Sequence, residues 1–449
     1  MTGFEQFFKG KKITVMGLGL LGRGVGDAAF LAECGAELTV TDLKTKEQLK
    51  ESLQKLKKLA PPSSGGVKNI KYVLGEHRLE DFQNADMILK AAGVPLDSIY
   101  IKEARKNNIP IEMSASLFAK LSDLPIIGVT GTRGKSTVTH FIAHILESAG
   151  KKVILGGNVR SVSNLQLLKK FTPPKLGGAR HADMAIFELD SWQLQGFGEA
   201  KISPHISVFT NFLSDHLNYY KNDVKKYFTD KSYIYKFQNK KDTLVLGPKM
   251  KGLAGDAKGK VINANIKNVP KSWKVNLSGD HNLENIACAI GVARILKIKE
   301  EFIKKAVENF KTLPGRLQMA RKIRGVSIYN DTNSTTADAL IVALKSFSEK
   351  VILIMGGMDK GPNVDDLAKI LPTKTKYIFL TPGSGGDKID AMKINAEKVS
   401  GLKEAVAGAM KKAEAGDIIL FSPGFASFNM FKNEYDRGDQ FMKIVKSLK

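Results

Sequence analysis

The chain has 449 residues, of which 43% are apolar and 25% are charged, so disorder, a collagen-like repeat and a coiled coil are excluded. At about 150 residues per domain, this length predicts about three domains, each able to bury a core without disulfide support. The 69 Lys and Arg exceed the 45 Asp and Glu to give a net charge of +24, which fits a nucleic-acid surface or small anionic substrates.

Two cysteines, Cys34 and Cys288, each lie in an apolar, helix-like stretch that suits a buried small side chain. We therefore expect a reducing compartment, and the missing apolar signal core at the amino terminus predicts a cytoplasmic protein. No run approaches the roughly 18 apolar residues of a membrane span. The lysine-rich stretch from Lys46 to Leu59 is interpreted as a solvated helix face.

The first predicted unit runs from Lys11 to Asp42 as a β run, a glycine turn, an apolar helix and a second strand. Its turn, GLGLLG, fits the GxGxxG pattern of a nucleotide-binding βαβ unit, with Asp42 about 20 residues further on. A dinucleotide site and a ligand-free turn both remain open here. We place the first domain at 1–113. Its predicted nucleotide-site residues are Gly17, Gly19, Leu20, Leu21, Gly22 and Asp42.

A second strand-turn-helix pattern begins with PIIGV and continues through TGTRGKST into an apolar helix. The spacing departs from the strict GxxxxGK[ST] loop, so a chance glycine turn stays open, but the flanking strand and helix favour phosphate binding. Lys135 would supply charge and Ser136 would hold magnesium. We place this domain at 114–312, and its predicted ATP-binding residues are Gly131, Thr132, Arg133, Gly134, Lys135, Ser136 and Thr137.

Beyond LPGR, four apolar runs each end at a polar or glycine-rich turn: VSIYND, KVILIMGG, KYIFLTP and DIILFSPG. Helical stretches separate them, which predicts a third α/β domain over 313–449 with functional residues at the carboxyl ends of parallel strands. The fold class is therefore α/β with three domains: a Rossmann-like amino-terminal domain, a central P-loop ATPase-type domain and a Rossmann-like carboxy-terminal domain.

Nine motifs occur in order along essentially the whole chain: TGTRGKST, GGN, FELDSWQLQ, TNFLSDHLNYY, GDHNLENIACA, LPGR, YNDTNST, GGMDKG and SPGFASFNMFKNEYDRG. Together they resemble the Mur ligases, particularly those that add D-glutamate to UDP-N-acetylmuramoyl-L-alanine in peptidoglycan precursor synthesis. The resemblance implies that ATP phosphorylates a carboxylate and that the amino acid's amine attacks the resulting acyl phosphate.

The resemblance also implies a metal site with two Mg²⁺ ions. Glu188 and Ser136 would bind the ion shared with ATP, and Asn158 would lie near the metal and substrate. His216 would bind a second ion or orient the activated carboxyl group, and Lys231 matches a lysine that family members carry as a carbamate. From the residues alone, these are an ordinary strand-end carboxylate, a turn asparagine, a solvent-facing histidine and one lysine among many.

Further binding roles follow from the same resemblance. Asn282, by default the N-cap of an apolar helix, would contact adenine. Arg316 would approach the ATP phosphates, and Asp331 would bind the ribose or orient that arginine, once domain closure excludes water. The implied amino-acid site holds Thr335, Lys360 and Ser427, and the uridine site includes Gly93.

The chain departs from the usual pattern at three places, where Asn333 replaces a common lysine, Glu434 replaces a common aromatic residue, and Ala91–Gly93 read AAG instead of SPG. The identity and handedness of the amino acid therefore stay open, including another Mur or folylpolyglutamate-type ligase. An NAD-dependent oxidoreductase built on GLGLLG and a nucleic-acid-dependent ATPase are the competing classes. We expect a monomer without a nucleic-acid partner.

Overall fold

The computed structural model describes residues 3–60, 70–171, 182–213, 219–277, 279–359, 361, 364–427 and 430–448. The chain has a three-domain α/β fold, and the described strands form three sheets. It packs as two compact units, Met1–Lys274 with Leu283–Asn309 and Val275–Asn282 with Phe310–Lys449. The first two sheets share the first unit, and the domain boundaries at 113 and 312 stay predictions.

The first sheet has the strand order β3-β2-β1-β4-β5 and is parallel throughout. Its strands are β1 (Lys12–Met16), β2 (Glu37–Asp42), β3 (Ile70–Leu74), β4 (Met87–Lys90) and β5 (Ile111–Glu112). Its helices are α1 (Gly3–Phe8), α2 (Arg23–Glu33), α3 (Lys50–Leu59), α4 (Ile99–Lys106) and α5 (Ser114–Leu121). The order reverses between β1 and β4, and parallel sheets bind ligands at the carboxyl ends of strands beside such a reversal.

The second sheet has the order β11-β10-β9-β6-β8-β7 and is also parallel. Its strands are β6 (Ile126–Thr130), β7 (Val153–Gly157), β8 (Met184–Glu188), β9 (Ile206–Phe209), β10 (Thr243–Leu246) and β11 (Lys260–Asn263). The helices here are α6 (Lys135–Ser148), α7 (Ser191–Ala200), α8 (Val224–Ser232), α9 (Asp280–Ile295) and α10 (Glu300–Asn309). The central strand β6 is fully buried, because helices cover both faces of a parallel sheet.

The third sheet has the order β12-β13-β17-β14-β15-β16, with β12 antiparallel to β13. Its strands are β12 (Gln318–Ile323), β13 (Val326–Asn330), β14 (Val351–Gly356), β15 (Thr375–Thr381), β16 (Glu397–Lys398) and β17 (Ile418–Gly424). Its helices are α11 (Ala337–Lys345), α12 (Asp365–Lys374), α13 (Ser384–Asp390), α14 (Leu402–Lys412) and α15 (Glu434–Ser447). The four predicted strands are confirmed, and the sequence analysis missed the two edge strands β12 and β16.

A buried carboxylate joins the first two sheets within the first unit. Asp27 of α2 accepts hydrogen bonds from the Ser163 hydroxyl at 2.6 Å and from the Leu165 amide at 3.1 Å. Burial raises the pKa of the Asp27 carboxyl, and the hydrogen bond from Ser163 opposes that rise. The side chain therefore contributes mainly as an acceptor for two donors that would otherwise lack a partner.

We predict that Asp27→Ala lowers the free energy of unfolding by about 2 kcal/mol, because it leaves a buried hydroxyl and a buried amide without an acceptor. Asp27→Asn keeps an acceptor and should cost less. Thermal and urea unfolding measure both variants. The control is Asp183→Ala, since Asp183 accepts one exposed amide, that of Lys152, at 2.8 Å. Equal stability of Asp27→Ala and the unmodified chain would contradict this role.

Candidate active site

The glycine turn after β6 has two positions at which a larger residue would clash with its neighbours. Gly131 has φ +145° and Gly134 has φ +82°, in the left-handed region that favours glycine. A Cβ atom on Gly131 would lie 2.0 Å from Thr210 Oγ1, and one on Gly134 would lie 2.2 Å from Asn285 Oδ1. Gly134 also precedes the first turn of α6, and the helix dipole there favours anions.

The segment after β9 locks this turn in place. Thr210 donates its hydroxyl to the Arg133 carbonyl at 2.6 Å, and the Arg133 amide donates to Asn211 Oδ1 at 2.8 Å. The Thr132 amide donates to the Asn211 carbonyl at 2.9 Å. Thr210 and Asn211 open the motif TNFLSDHLNYY, but no role was predicted for them, because the pairing of β9 with β6 is not visible in one sequence.

Two lysines converge on one carbonyl oxygen of the turn. Lys135 Nζ donates to the Gly131 carbonyl at 3.1 Å and to the Thr132 carbonyl at 3.1 Å. Lys231 Nζ, from α8, donates to the same Gly131 carbonyl at 2.8 Å, and its residue is only 2% exposed. Two ammonium groups this close repel each other, so an anion bound beside them would be stabilised. The structure thus places Lys231 beside the glycine turn, and its carbamate stays a prediction.

Glu188 provides a buried carboxylate next to the turn. It ends β8, pairs with Val129 of β6, and is 4% exposed. A buried carboxylate at a strand end is a hard oxygen ligand that suits a cation such as Mg²⁺. Ser136 and Thr137 lie in the first turn of α6.

These residues fit a magnesium ion bound with a nucleotide. The described ranges contain no group of three or more His, Cys, Asp and Glu side chains that could hold a metal by themselves. Magnesium usually takes one or two carboxylates together with substrate phosphates and water. The Glu188 carboxylate and the Ser136 hydroxyl would therefore suffice with bound phosphate.

Asn158 connects this region to the glycine turn of the first sheet. Its amide donates to the Glu188 carbonyl at 2.7 Å, and its Oδ1 accepts a hydrogen bond from Arg23, the first residue of α2. Arg23 directly follows Gly22 of the GLGLLG turn. Two predicted sites are thereby brought together within the first unit.

Asp42 shapes the GLGLLG turn from the end of β2. Its carboxylate accepts the Gly19 amide at 3.0 Å and the Lys44 amide at 2.9 Å, and Ser52 donates its hydroxyl to the Gly19 carbonyl at 2.7 Å. The predicted lysine-rich helix is α3, and Ser52 belongs to its buried face. Leu20 and Leu21 are exposed at the tip of the turn, at 51% and 38%.

A buried lysine was missed in the first sheet. Lys90 ends β4, is 2% exposed, and donates to the carbonyls of Ala91 at 3.1 Å, Ala92 at 3.4 Å and Val94 at 2.7 Å. Burial lowers the pKa of its ammonium group to about 8, against the opposing effect of Asp190, Asp230 and Glu199. Lys90 thus fixes the conformation of the loop that contains Gly93. This loop lies next to Gly17.

In the third sheet, Asp331 holds the LPGR turn. Its carboxylate accepts the Leu317 amide at 3.0 Å and the Ser422 hydroxyl at 2.8 Å. The Leu317 amide belongs to the residue after Arg316, and both predicted roles of Asp331, toward ribose or toward Arg316, stay predictions. Asn333 donates to the Pro314 carbonyl at 3.3 Å, which ties the residue that replaces a common lysine to the same turn.

The other predicted residues are placed as follows. Thr335 lies in the loop between β13 and α11, and Ser427 is buried after β17. Asn282 lies inside the first turn of α9, which begins at Asp280, so its interpretation as an N-cap was wrong. His216, Lys360 and the predicted surface insertion at 172–178 lie outside the described residues.

The fold and site define an α/β protein with a glycine turn suited to phosphate at the carboxyl edge of a parallel sheet. Three family models match the chain: "Mur ligase MurD-like, N-terminal domain" over 11–112, "Mur ligase middle domain" over 129–269 and "Mur ligase, glutamate ligase domain" over 315–425. The chain belongs to the Mur ligase family.

Curated relatives agree over nearly the full length. The UDP-N-acetylmuramoylalanine–D-glutamate ligase of Roseiflexus sp. is 33% identical, with 98% of this chain and 99% of the relative covered. The enzyme of the same name from Borreliella afzelii is 34% identical, with 98% of each chain covered.

Solved structures show the same fold. UDP-N-acetylmuramate-alanine ligase of Thermotoga maritima matches with a TM-score of 0.61 at 19% identity, over 98% of this chain and 100% of that one. E. coli FolC in complex with ADP matches with a TM-score of 0.56 at 15% identity, over 74% of this chain and 92% of that one. In the part of the chain that the structure describes, no helix combines the length and apolar character of a membrane span.

We predict that Asp331→Asn stabilises the protein increasingly as pH rises. Burial raises the pKa of the Asp331 carboxyl from 3.8 to about 7, so the folded state binds the extra proton and stability is lost as pH rises through that range. Thermal unfolding from pH 4 to pH 8 should show the variant gaining about 4 kcal/mol over the unmodified chain. Parallel pH profiles for the two proteins would contradict the raised pKa of the Asp331 carboxyl.

Proposed function

We propose that this chain is an ATP-dependent ligase that joins D-glutamate to UDP-N-acetylmuramoyl-L-alanine in peptidoglycan precursor synthesis. The names of the full-length relatives support this activity. The observation that carries the proposal is the glycine turn on which Lys135 and Lys231 converge beside the buried Glu188 carboxylate. An NAD-dependent oxidoreductase would not need this arrangement, because hydride transfer does not use ATP.

The proposed reaction has two steps. A carboxylate oxygen of the alanyl group attacks the γ-phosphorus of ATP, which releases ADP and forms an acyl phosphate. The amine of D-glutamate then attacks the acyl carbon, loses a proton and expels phosphate, leaving an amide. Carboxylate and triphosphate are both anions, so the first step requires cations that hold them together in line.

Residues of the first unit would meet this requirement. Backbone N–H groups at 134–137, at the start of α6, would bind phosphate oxygens, and Lys135 would turn from the loop carbonyls toward the terminal phosphates. Glu188 and Ser136 would hold Mg²⁺, which would neutralise charge on the transferred phosphoryl group. We propose two Mg²⁺ ions, the second of them at His216.

Lys231 has two possible charge states in this site. As an ammonium group it would lie beside Lys135 with unfavourable repulsion. As a carbamate it would be an anion that pairs with Lys135 and can ligate a cation. We propose the carbamate, because the 2% exposure of Lys231 and its shared carbonyl with Lys135 favour opposite charges there.

The remaining substrates would bind at the other turns. The UDP group would occupy the turn at 17–22, with Arg23 and Asn158 near its anionic diphosphate and Gly93 beside it. Asn282 would contact adenine, with Arg316 and Asp331 serving the phosphates and ribose. In the second unit, the loops containing Thr335, Lys360 and Ser427 would bind the amino acid.

We also propose that the enzyme works as a monomer in the cytoplasm. Cys34 and Cys288 are both free and buried, and burial raises the pKa of each thiol to about 12. Such thiols suit a reducing compartment.

The activity is tested by phosphate release from ATP with purified protein. Release should require both UDP-N-acetylmuramoyl-L-alanine and D-glutamate, and replacing D-glutamate by L-glutamate, D-aspartate or L-lysine should reduce the rate at least tenfold. Equal release with either substrate omitted would contradict the proposal. A preference for another amino acid would instead favour a different ligase of the same family, which the Asn333 departure leaves open.

We predict that Lys231→Ala lowers kcat at least 100-fold and that added acetate or formate partly restores it, because a small carboxylate can replace the carbamate. The matched control is Lys135→Ala, which removes a cation from the same carbonyl and should lose activity without rescue by carboxylates. Phosphate-release assays with and without the added acid measure both variants. Full activity of Lys231→Ala would show that this lysine is merely structural, and equal rescue of both variants would disprove the carbamate.

A further inference from the structure

A buried arginine lies at the base of the third sheet's carboxyl edge. Arg437 belongs to the first turn of α15 and is only 2% exposed, among the largest fully buried side chains of the described residues. Arg437 belongs to the motif SPGFASFNMFKNEYDRG, but it has no role in the proposed reaction. A guanidinium group is less strongly hydrated than an ammonium group, and it is tolerated in an interior where its N–H groups find acceptors.

The guanidinium group joins two loops. Nη2 donates to the Thr332 carbonyl at 2.8 Å, and Nε donates to the Thr332 hydroxyl at 3.2 Å. Nη1 donates to the Phe425 carbonyl at 3.0 Å. Thr332 follows β13 and precedes Thr335 by three residues, and Phe425 follows β17 and precedes Ser427 by two.

A third loop packs against the same group. A Cβ atom on Gly357, which follows β14, would lie 3.4 Å from Arg437 Nη1. Met358 and Ala426 exchange two backbone hydrogen bonds, at 2.8 and 3.0 Å, so the β14 loop is fixed to the segment that Arg437 holds. The strands β13, β17 and β14 are neighbours and parallel, which places all three loops at one edge.

Among the residues that the structure describes, Arg437 forms no ion pair. None of its described hydrogen-bond acceptors is a carboxylate, and Glu434 is the acidic residue that acts on it. Burial lowers the pKa of the guanidinium group to about 10, so the group is still charged at neutral pH. A positive charge beneath these loops would attract an anionic ligand above them, because screening by water is weak in the interior.

We propose that Arg437 is a positioning residue that fixes the three loops of the amino-acid site and, through its buried charge, favours an amino acid with two carboxylates. This inference rests on the proposed function. A dicarboxylic amino acid brings one more negative charge than a neutral one, so the loss of Arg437 should weaken its binding most.

The test compares Arg437→Met and Arg437→Lys with Arg321→Met. Arg321 is the matched control because it also donates to backbone carbonyls around α15, those of Val445, Lys446 and Leu448, yet lies at the opposite end of that helix. Phosphate-release kinetics give KM for D-glutamate, ATP and the UDP substrate, and thermal unfolding gives the stability of each variant.

Arg437→Met should raise KM for D-glutamate at least tenfold, with KM for ATP and for the UDP substrate changed less than twofold. Arg437→Lys keeps the charge but loses the planar guanidinium group, so it should raise KM for D-glutamate less. If the Met variant does not fold, the Lys variant still tests the proposal. Arg321→Met should lower the melting temperature with KM for D-glutamate unchanged.

An unchanged KM for D-glutamate in the folded Arg437 variants, or equal increases in all three KM values, would overturn the inference while leaving the proposed function standing. If the unmodified protein releases no phosphate in response to D-glutamate, the proposed function fails, and the role of Arg437 fails with it.

Discussion

The structure of the site depends on the Gly131 carbonyl, where the ammonium groups of Lys135 and Lys231 meet. One lysine begins the helix after the glycine turn, and the other lies on a helix about 100 residues later. Their convergence concentrates positive charge where backbone N–H groups also point. A bound triphosphate would offset this repulsion, and a carbamate on Lys231 would replace one of the two positive charges by a negative one.

The geometry of parallel sheets determines where the other polar site residues lie. In each sheet, the polar residues lie at the carboxyl ends of the strands, where the chain leaves the buried core. Asp42 and Lys90 shape turns in the first sheet, Thr210 and Asn211 lock the turn of the second, and Arg437 fixes three loops of the third. In all three sheets, buried polar side chains hold the backbone of the loops, so the residues free to contact ligands sit on rigid supports.

Much of the fold could be predicted from the sequence, because buried parallel strands appear as continuous apolar runs. The strands β12 and β16 could not, because edge strands lack that pattern. The phosphate turn was predictable from its glycines and lysine. The roles of Lys90 and Arg437 were not, because a basic residue at a strand or helix end usually faces solvent, and only the tertiary fold reveals that these two are buried. Thr210 and Asn211 were hidden for a similar reason, since their partner strand lies about 80 residues earlier.

The central claim is that a carboxylate is phosphorylated at this turn before the amide forms. It is tested most directly with UDP-N-acetylmuramoyl-L-alanine carrying oxygen-18 in its terminal carboxylate. If an acyl phosphate forms, one labelled oxygen is transferred to phosphorus, and mass spectrometry of the released phosphate will find a single oxygen-18 atom per turnover. Unlabelled phosphate, released together with the amide product, would contradict the account.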